Sequence, residues 1–351
     1  MPSLRAAARN QYPVTLMKKF RLGSRKGYAA ACVLTCTMHM PLHTYAQPAA
    51  SKENAYPTRP IRVISGFPPG SSVDVLGRFM ASRLSERLGQ QLVIDNRPGA
   101  SGTIGADIAA RATPDGYTLF IMTASQIMSV PIFKKLPYEP VKSFTAISPI
   151  GAGPLMLVSN PSFAPKTVKE LIDLAKTKPD AVTYSSAGNG SINHYVGAMF
   201  GNAIGSRMLH VPHKGGAPAF LAAMAGEVNL MFATLPLSLN QIRAGKVKAF
   251  GITALKRSAL VPNVPPIADT LPGFEGTTWW GVVGPAGLPA PILKRLNTEM
   301  VGILKHPDSA QRLSAEGAEP LPMSPTEYQT FLQFELDKWT RVAREIGVRA
   351  D

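Results

Sequence analysis

The chain is 351 residues long, carries 37 Lys and Arg against 22 Asp and Glu, and has a formal net charge of +15. That length accommodates two domains of ordinary size. The basic residues form no run interleaved with aromatics, which excludes a nucleic-acid stripe, and past residue 46 no stretch is apolar for long enough to cross a bilayer.

The first 46 residues stand apart from the rest. They hold seven basic side chains, between Arg5 and Lys26, and no acid. An apolar run, Gly27–Met40, follows, and then the small-x-small pattern Thr44-Tyr45-Ala46 ahead of Gln47. A basic head, a short apolar run and a cleavage pattern form a secretory signal in its usual order, and the run is too short to span a membrane. The expectation is a signal peptide over 1–46, a linker over 47–55 and a mature protein in the periplasm. Met17-Lys18-Lys19-Phe20-Arg21 reads as a more usual signal start than Met1. Taking the seven basic residues from 37 leaves 30 against 22 acidic ones, a net of +8 that suits attraction of small anions. Both cysteines, Cys32 and Cys36, fall within the signal, so no disulfide or thiol ligand is expected in the mature chain. Thr35 before Cys36 departs from a lipoprotein signal.

Beyond the linker, strand-like and helix-like patterns alternate, as in an α/β protein with a largely parallel sheet. Ile61–Ser65 is predicted as a strand. A helix starting near Val75 places Leu76, Phe79, Met80, Leu84 and Leu88 on one face and stops at Gly89. A strand at Gln91–Asp95, a small-residue helix over Gly102–Ala112 and a strand at Tyr117–Thr123 follow, with Pro114-Asp115-Gly116 as the turn between the last two. A second series has a strand at Leu155–Ser159, a helix over Val168–Lys178 opened by the Thr167/Glu170 capping box, and strands at Val182–Ser185, Leu209–Pro212, Val228–Phe232 and Lys248–Thr253. The final portion has a strand at Thr277–Val283 and helices from about Pro291 and from Ser324, the latter packing Tyr328, Phe331, Leu332 and Leu336 inward. The chain is expected to cross between domains near 150 and near 270. Domain 1 is then 56–150 plus 271–351 and domain 2 is 151–270, with a hinge and a ligand cleft between them.

The segment from Phe67 to Asp74 (FPPGSSVD) joins the first strand to the first helix. Such a junction points free backbone N–H groups and the positive end of a helix dipole at one spot, which holds an anion without a charged side chain. Gly70, Ser71 and Ser72 are therefore candidate donors to a carboxylate. The alternative is a helix cap with Asp74 three residues on, worth ~1 kcal/mol, and the two roles are compatible. Similar junctions occur at Ser186–Ser191, with Ser186, Asn189 and Ser191, and at Lys214–Gly216, where Lys214 faces either an anion or solvent. Several such turns in both halves of the chain point to an anion cleft.

Other motifs are set aside. Gly99, Gly102 and Gly105 have G-x-x-G-x-x-G spacing rather than a dinucleotide fingerprint, and fit tight helix packing. His210 and His213 lack a carboxylate or thiol partner at ligand spacing, so no metal is expected. No nucleophile elbow occurs, and no cofactor is implied. Trp279 and Trp280 read as core or hinge aromatics rather than a lid.

From Tyr56 to Gly347 the chain resembles the Bug family, the periplasmic substrate-binding receptors of tripartite tricarboxylate transporters. The residues that carry this are YPTRPIR from Tyr56, FPPG from Phe67, DNRPG from Asp95, PDGY from Pro114, LPY from Leu136, YSSAGNGS from Tyr184 and VPHKG from Val211, with FATLP from Phe232, AGK from Ala244 and GPAG from Gly284. The resemblance implies a two-lobed Venus-flytrap α/β fold with a double inter-domain crossover, no enzymatic activity, and a monomeric receptor that passes a carboxylate to a membrane pair of one large and one small subunit. It implies ligand turns at Gly70–Asp74, Thr123–Gln126, Ser186–Ser191 and Lys214–Gly216, which adds Thr123, Ser125 and Gly215 to the candidate contacts, and Thr234 of the FATLP segment is a further one. Di- and tricarboxylates and aromatic acids all fit. Three departures matter: Ser71 stands where the family has a second Gly, His213 where it often has Tyr, and Ala233 where it often has Asp. The last argues against an amino-acid ligand. Two other functions share the anion chemistry: an enzyme acting on an organic acid, with Asp74 or His213 as base, and a sensor feeding a membrane kinase.

Overall fold

The computed structural model describes residues 56–348; the expected signal peptide, both cysteines and the linker lie outside the described residues. In chain order the first elements are β1 (Ile61–Ser65), α1 (Ser72–Leu88), β2 (Leu92–Asn96), a 3₁₀ turn at Ala100–Gly102, α2 (Thr103–Ala110), β3 (Thr118–Thr123) and α3 (Ala124–Met128). Next come β4 (Phe144–Ser159), α4 (Val168–Thr177), β5 (Thr183–Ser186), α5 (Ile192–Ile204), β6 (Leu209–Pro212), α6 (Gly216–Ala225), β7 (Leu230–Thr234), α7 (Leu235–Arg243) and β8 (Lys248–Ile252). The chain ends with β9 (Thr277–Pro285), α8 (Ala290–Lys305), α9 (Pro307–Ala315), β10 (Glu319–Pro320) and α10 (Pro325–Ile346).

The architecture is the expected two-lobed α/β arrangement. One parallel block has strand order β2-β1-β3 and the other β7-β5-β6. Antiparallel β9 and β4 join them into one path, β9 pairing with β3 and β4 pairing with both β9 and β7. Strand β4 does the joining: Phe144–Pro154 pairs with β9, and Leu155–Ser159 pairs with β7 and β8. The return crossing runs from β8 to β9. There Thr253 Oγ1 accepts the Leu155 N–H (2.8 Å) and donates to the Gly276 carbonyl (2.5 Å), while the Thr253 N–H donates to the Leu155 carbonyl (2.9 Å). One buried threonine therefore ties both crossings together.

Local chemistry sets the helix ends. Ser71 Oγ accepts the Asp74 N–H to start α1, which closes at Gly89 in the left-handed conformation. Leu76, Met80, Leu84 and Leu88 are buried on the α1 inner face. In α10 the Ser324/Glu327 capping box is complete, Tyr328, Phe331 and Leu332 are buried, and Leu336 is half-buried. Glu335, only 2% exposed, accepts the indole N–H of both Trp279 and Trp339 at 2.9 Å, pinning α10 to β9. Gly105 serves close packing as expected, since a Cβ there would lie 2.9 Å from Gly66 Cα. Among the described residues no helix is long and apolar enough to cross a membrane.

Candidate functional site

Strands β1, β3, β5, β6 and β7 each hand over to a helix at their carboxyl ends, on the edge where open α/β sheets bind ligands. These junctions meet at a cavity of about 30 Å³. First-turn residues of four helices reach it: Ser72 and Val73 of α1, Ile192 and Asn193 of α5, Gly216 of α6 and Leu237 of α7. The α3 junction adds Thr123 and Ser125, and β9 adds Thr278 and Trp280. Phe67, Ala187 and Met231 extend the apolar wall. First-turn N–H groups have no intrahelical acceptor, so the cavity receives the positive ends of several helices.

Thr234 is the most informative wall residue. It caps α7, yet its side chain makes no capping bond. The second helical position is Pro236, which has no N–H to offer. The Thr234 hydroxyl is left buried with no hydrogen-bond partner, in a residue 6% exposed that lines the cavity. A buried hydroxyl in that state costs ~1–3 kcal/mol, which a bound acceptor or donor would recover.

Of the other sequence candidates, Ser71, Ser72, Thr123 and Ser125 line the cavity. Thr123 Oγ1 donates to Gln126 Oε1 (3.0 Å), and Ser125 Oγ accepts the Ile192 N–H (3.3 Å) across the two halves. The remaining candidates are not among the residues that line this cavity. Gly70 and Asp74 are joined to each other: Asp74 accepts the Gly70 N–H (3.1 Å), Asn96 Nδ2 (3.1 Å) and Arg78 Nε (3.0 Å). Burial alone would raise the Asp74 pKa, but the bonds from Arg78, Gly70 and Asn96 outweigh it and hold the carboxyl below its usual range. These three hydrogen bonds brace the turn.

Ser186 Oγ accepts the Gly188 N–H (3.1 Å) and bonds His210 Nε2 (2.6 Å); Ser191 caps α5 and donates to the Gly188 carbonyl (2.7 Å). These two shape the β5–α5 turn from within. Asn189 on that turn has a buried Oδ1 without a hydrogen bond, and its carbonyl accepts Ser101 Oγ (2.7 Å) from the other half. Lys214 is exposed, and Gly215 packs its backbone so close that a Cβ would sit 2.5 Å from Pro68 Cδ. His213 turns Nδ1 toward the Val211 carbonyl (3.1 Å). Ala233 pairs with Met156 and is buried in the apolar cluster that also holds Met231 of the cavity wall.

Sequence reading missed Asn193, Thr278 and Trp280. Asn193 carried a weak signal as the second residue of a helix after a Gly/Ser turn; its Nδ2 donates to the Phe232 carbonyl (2.6 Å). Trp280 was weighed as a lid and read as a core or hinge aromatic, and Thr278 carried no signal, because both reach the cavity only through the pairing of β9 with β3 and β4.

A cavity between two parallel-sheet lobes, walled by helix N-termini and joined by crossing strands, defines a two-lobed solute-binding protein. The family model described as tripartite tricarboxylate transporter family receptor (TctC) matches residues 76–348, and the chain belongs to that family. It is 33% identical over 299 residues to protein BugT of Bordetella pertussis, covering 84% of this chain and 92% of BugT. Two solved structures are similar: Rpa4515 of R. palustris with adipate (33% identity, TM-score 0.81, 84% of this chain and 99% of that one) and MatC of Rhodopseudomonas palustris with bound malate (31%, 0.77, 82% and 99%).

Proposed function

We propose that this chain is a periplasmic receptor that captures a small organic carboxylate between its lobes and delivers it to a large and a small membrane transporter subunit. The convergence of helix N-termini around the unpartnered Thr234 hydroxyl carries the reading. Membership of a transporter-receptor family and the adipate and malate complexes of relatives support it. Ser72, Val73, Thr123, Ser125, Asn193, Thr234 and Thr278 touch the ligand. Gly70, Asp74, Ser186, Asn189, Ser191, Lys214 and Gly215 hold the turns that present them, and Ser71 both caps α1 and lines the cavity. The lobes divide as 56–150 plus 271–351 and 151–270, and residues 1–46 are removed on export.

Thermal unfolding of the exported protein against dicarboxylates, tricarboxylates, aromatic acids and their amides tests this. A ligand at a hundred times its Kd adds ~2.7 kcal/mol, enough to raise Tm by several degrees. One acid that shifts Tm while its amide does not is the expected result. If no acid in the panel shifts Tm, carboxylate capture is wrong. N-terminal sequencing of the exported protein is expected to begin at Gln47.

A further inference from the structure

We infer that a cationic patch made of Lys166, Arg243, Lys246 and Lys248, at the end of the second sheet block away from the cavity, binds the anionic headgroups of a lipid bilayer. The net charge of the chain is unevenly placed. Residues 151–270 carry 11 Lys and Arg against 5 Asp and Glu, whereas 56–150 and 271–351 together carry 18 against 16. Pairing of β4 locates the patch. Leu155 faces Thr234 at the cavity, and Ser159, four residues on, faces Lys248, about 13 Å further along the strand. Lys246 is on the turn between α7 and Lys248, and Arg243 is in the last turn of that helix. Lys248 Nζ donates to the Phe163 carbonyl, in the loop that carries Lys166. The patch is therefore separate from the proposed ligand contacts.

Lys166, Arg243 and Lys246 are exposed, and Lys248 is half-buried. The ion pairs in 151–270 are Lys169–Asp173, Arg207–Asp180 and Arg257–Asp269, so among the described residues none of the four cations has one. Two acids share this end. Glu170 Oε2 accepts the Lys166 N–H (2.9 Å), and Glu227 follows Gly226, which packs on Asn160. Four cations against two carboxylates leave a positive field. Helix ends account for only one of the four. Arg243 suits the negative end of α7, but Lys166 precedes the Thr167 cap, at the positive end of α4, where a cation is disfavoured. Burial lowers the Lys248 pKa, Glu170 raises it and Lys166 lowers it again, leaving it below the usual lysine range. An anionic surface outside the fold offsets these costs. Three of the four cations are lysines, strongly hydrated point charges on flexible stems. They suit a plane of mobile phosphates better than the fixed carboxylates that arginine forks match. Such a plane attracts basic side chains within a Debye length, roughly 8 Å at physiological salt. For a transporter receptor, that contact confines the search for its membrane partner to two dimensions.

Flotation of the exported protein with vesicles of phosphatidylcholine, alone or mixed with an equal part of phosphatidylglycerol, tests this. Binding to the mixed vesicles only, weakening as salt is raised, is the expected result. The triple variant Lys166→Gln, Arg243→Gln, Lys246→Gln is expected to bind them about a hundred-fold more weakly, at about five-fold per cation near the surface. Its Tm and its response to acids are expected to stay as they are. A second triple, Lys134→Gln, Lys135→Gln, Lys294→Gln, removes the same charge from exposed lysines outside 151–270 and is expected to bind nearly as the unaltered protein does. No preference for the anionic vesicles overturns the inference. So does an equal loss in both triples, since net charge alone would then be the cause. Retention on immobilised polyglutamate that the first triple loses, without vesicle binding, also overturns it, because the patch would then fit an acidic protein. A Tm that no acid shifts removes the carboxylate reading and leaves this inference standing.

Discussion

Thr234 and His194 show how single side chains separate binding from stability. Thr234→Val removes the hydroxyl at nearly constant shape. Because that hydroxyl is unpartnered, its loss is expected to leave the ligand-free Tm unchanged or slightly higher. The same change is expected to weaken the best acid about ten-fold, in line with one lost hydrogen bond to a charged group. Titration and thermal unfolding of the same preparation check both halves; an unaltered Kd would take Thr234 out of the site. His194 behaves differently. It stacks face to face on His210 with ring centroids 3.9 Å apart, is 6% exposed, and accepts the Gly190 N–H at Nδ1 (3.2 Å). Burial lowers its pKa from 6.5 to about 4. Between those values the unfolded chain binds the proton and the folded one does not, so stability falls as pH falls from 6.5 toward 4. The loss is about 3 kcal/mol at 1.36 kcal/mol per unit. His194→Asn keeps an acceptor near Gly190 without the titration, and denaturant unfolding at several pH values is expected to show a flatter slope. An identical slope in the variant would assign the effect to other groups.

At the scale of elements, the turns around the cavity act as a set of mutual braces. Ala100 and Ser101 have φ of 45° and 54°, a left-handed conformation that non-glycine residues seldom adopt. The Ser101 carbonyl accepts Gln126 Nε2 (2.9 Å), Gln126 Oε1 accepts the Thr123 N–H (2.8 Å), and Ser101 Oγ reaches the Asn189 carbonyl. A hydrogen-bonded path thus runs from the α3 cap to the β5–α5 turn across both halves. Ser101→Ala is expected to raise the ligand off-rate about five-fold, the worth of ~1 kcal/mol, with the on-rate unchanged. Stopped-flow dissociation measures it, and an unchanged off-rate would show that the bond is incidental to closure. Most of these elements are legible in the chain: β1 and β6 have the predicted bounds, and α1 begins only three residues earlier than its apolar face suggests. Strand β4 was less visible. Only Leu155–Ser159 reads as strand, because Pro149, Gly151, Gly153 and Pro154 resemble breakers, and the register shifts at Ala146/Ser148 and Pro149/Gly151 absorb them. For the site, Gly and Ser at strand–helix junctions marked which turns gather, whereas which side chains face the cavity depends on pairing across the sheet. Asp74 is an example: its sequence position suits a ligand contact, yet Asn96, from a strand 22 residues on, claims the carboxylate.

For the whole molecule, the volume of the cavity sets the requirement. About 30 Å³ is roughly the space of one water, so the proposed capture of an organic acid requires the two halves to part. Contacts that must separate are Ser101 Oγ to the Asn189 carbonyl, the Ile192 N–H to Ser125 Oγ, and Pro68 against Gly215. The Leu155–Thr253–Gly276 junction can stay whole, because both crossings pass through it and its four hydrogen bonds are internal to the pivot. In the proposed closure those turns come together while the pivot holds the register of both sheets. Hydrogen exchange is expected to show the Ile192 amide protected when an acid is added, with the Thr253 and Gly276 amides protected equally with and without it. Thr253→Val would leave the Leu155 N–H buried and unpaired, and is expected to lower stability by about 1–3 kcal/mol. If ligand instead protects Thr253 and Gly276 as strongly as Ile192, the crossings themselves open, and the motion is a separation of β4 from β8 and β9 rather than a rotation about them.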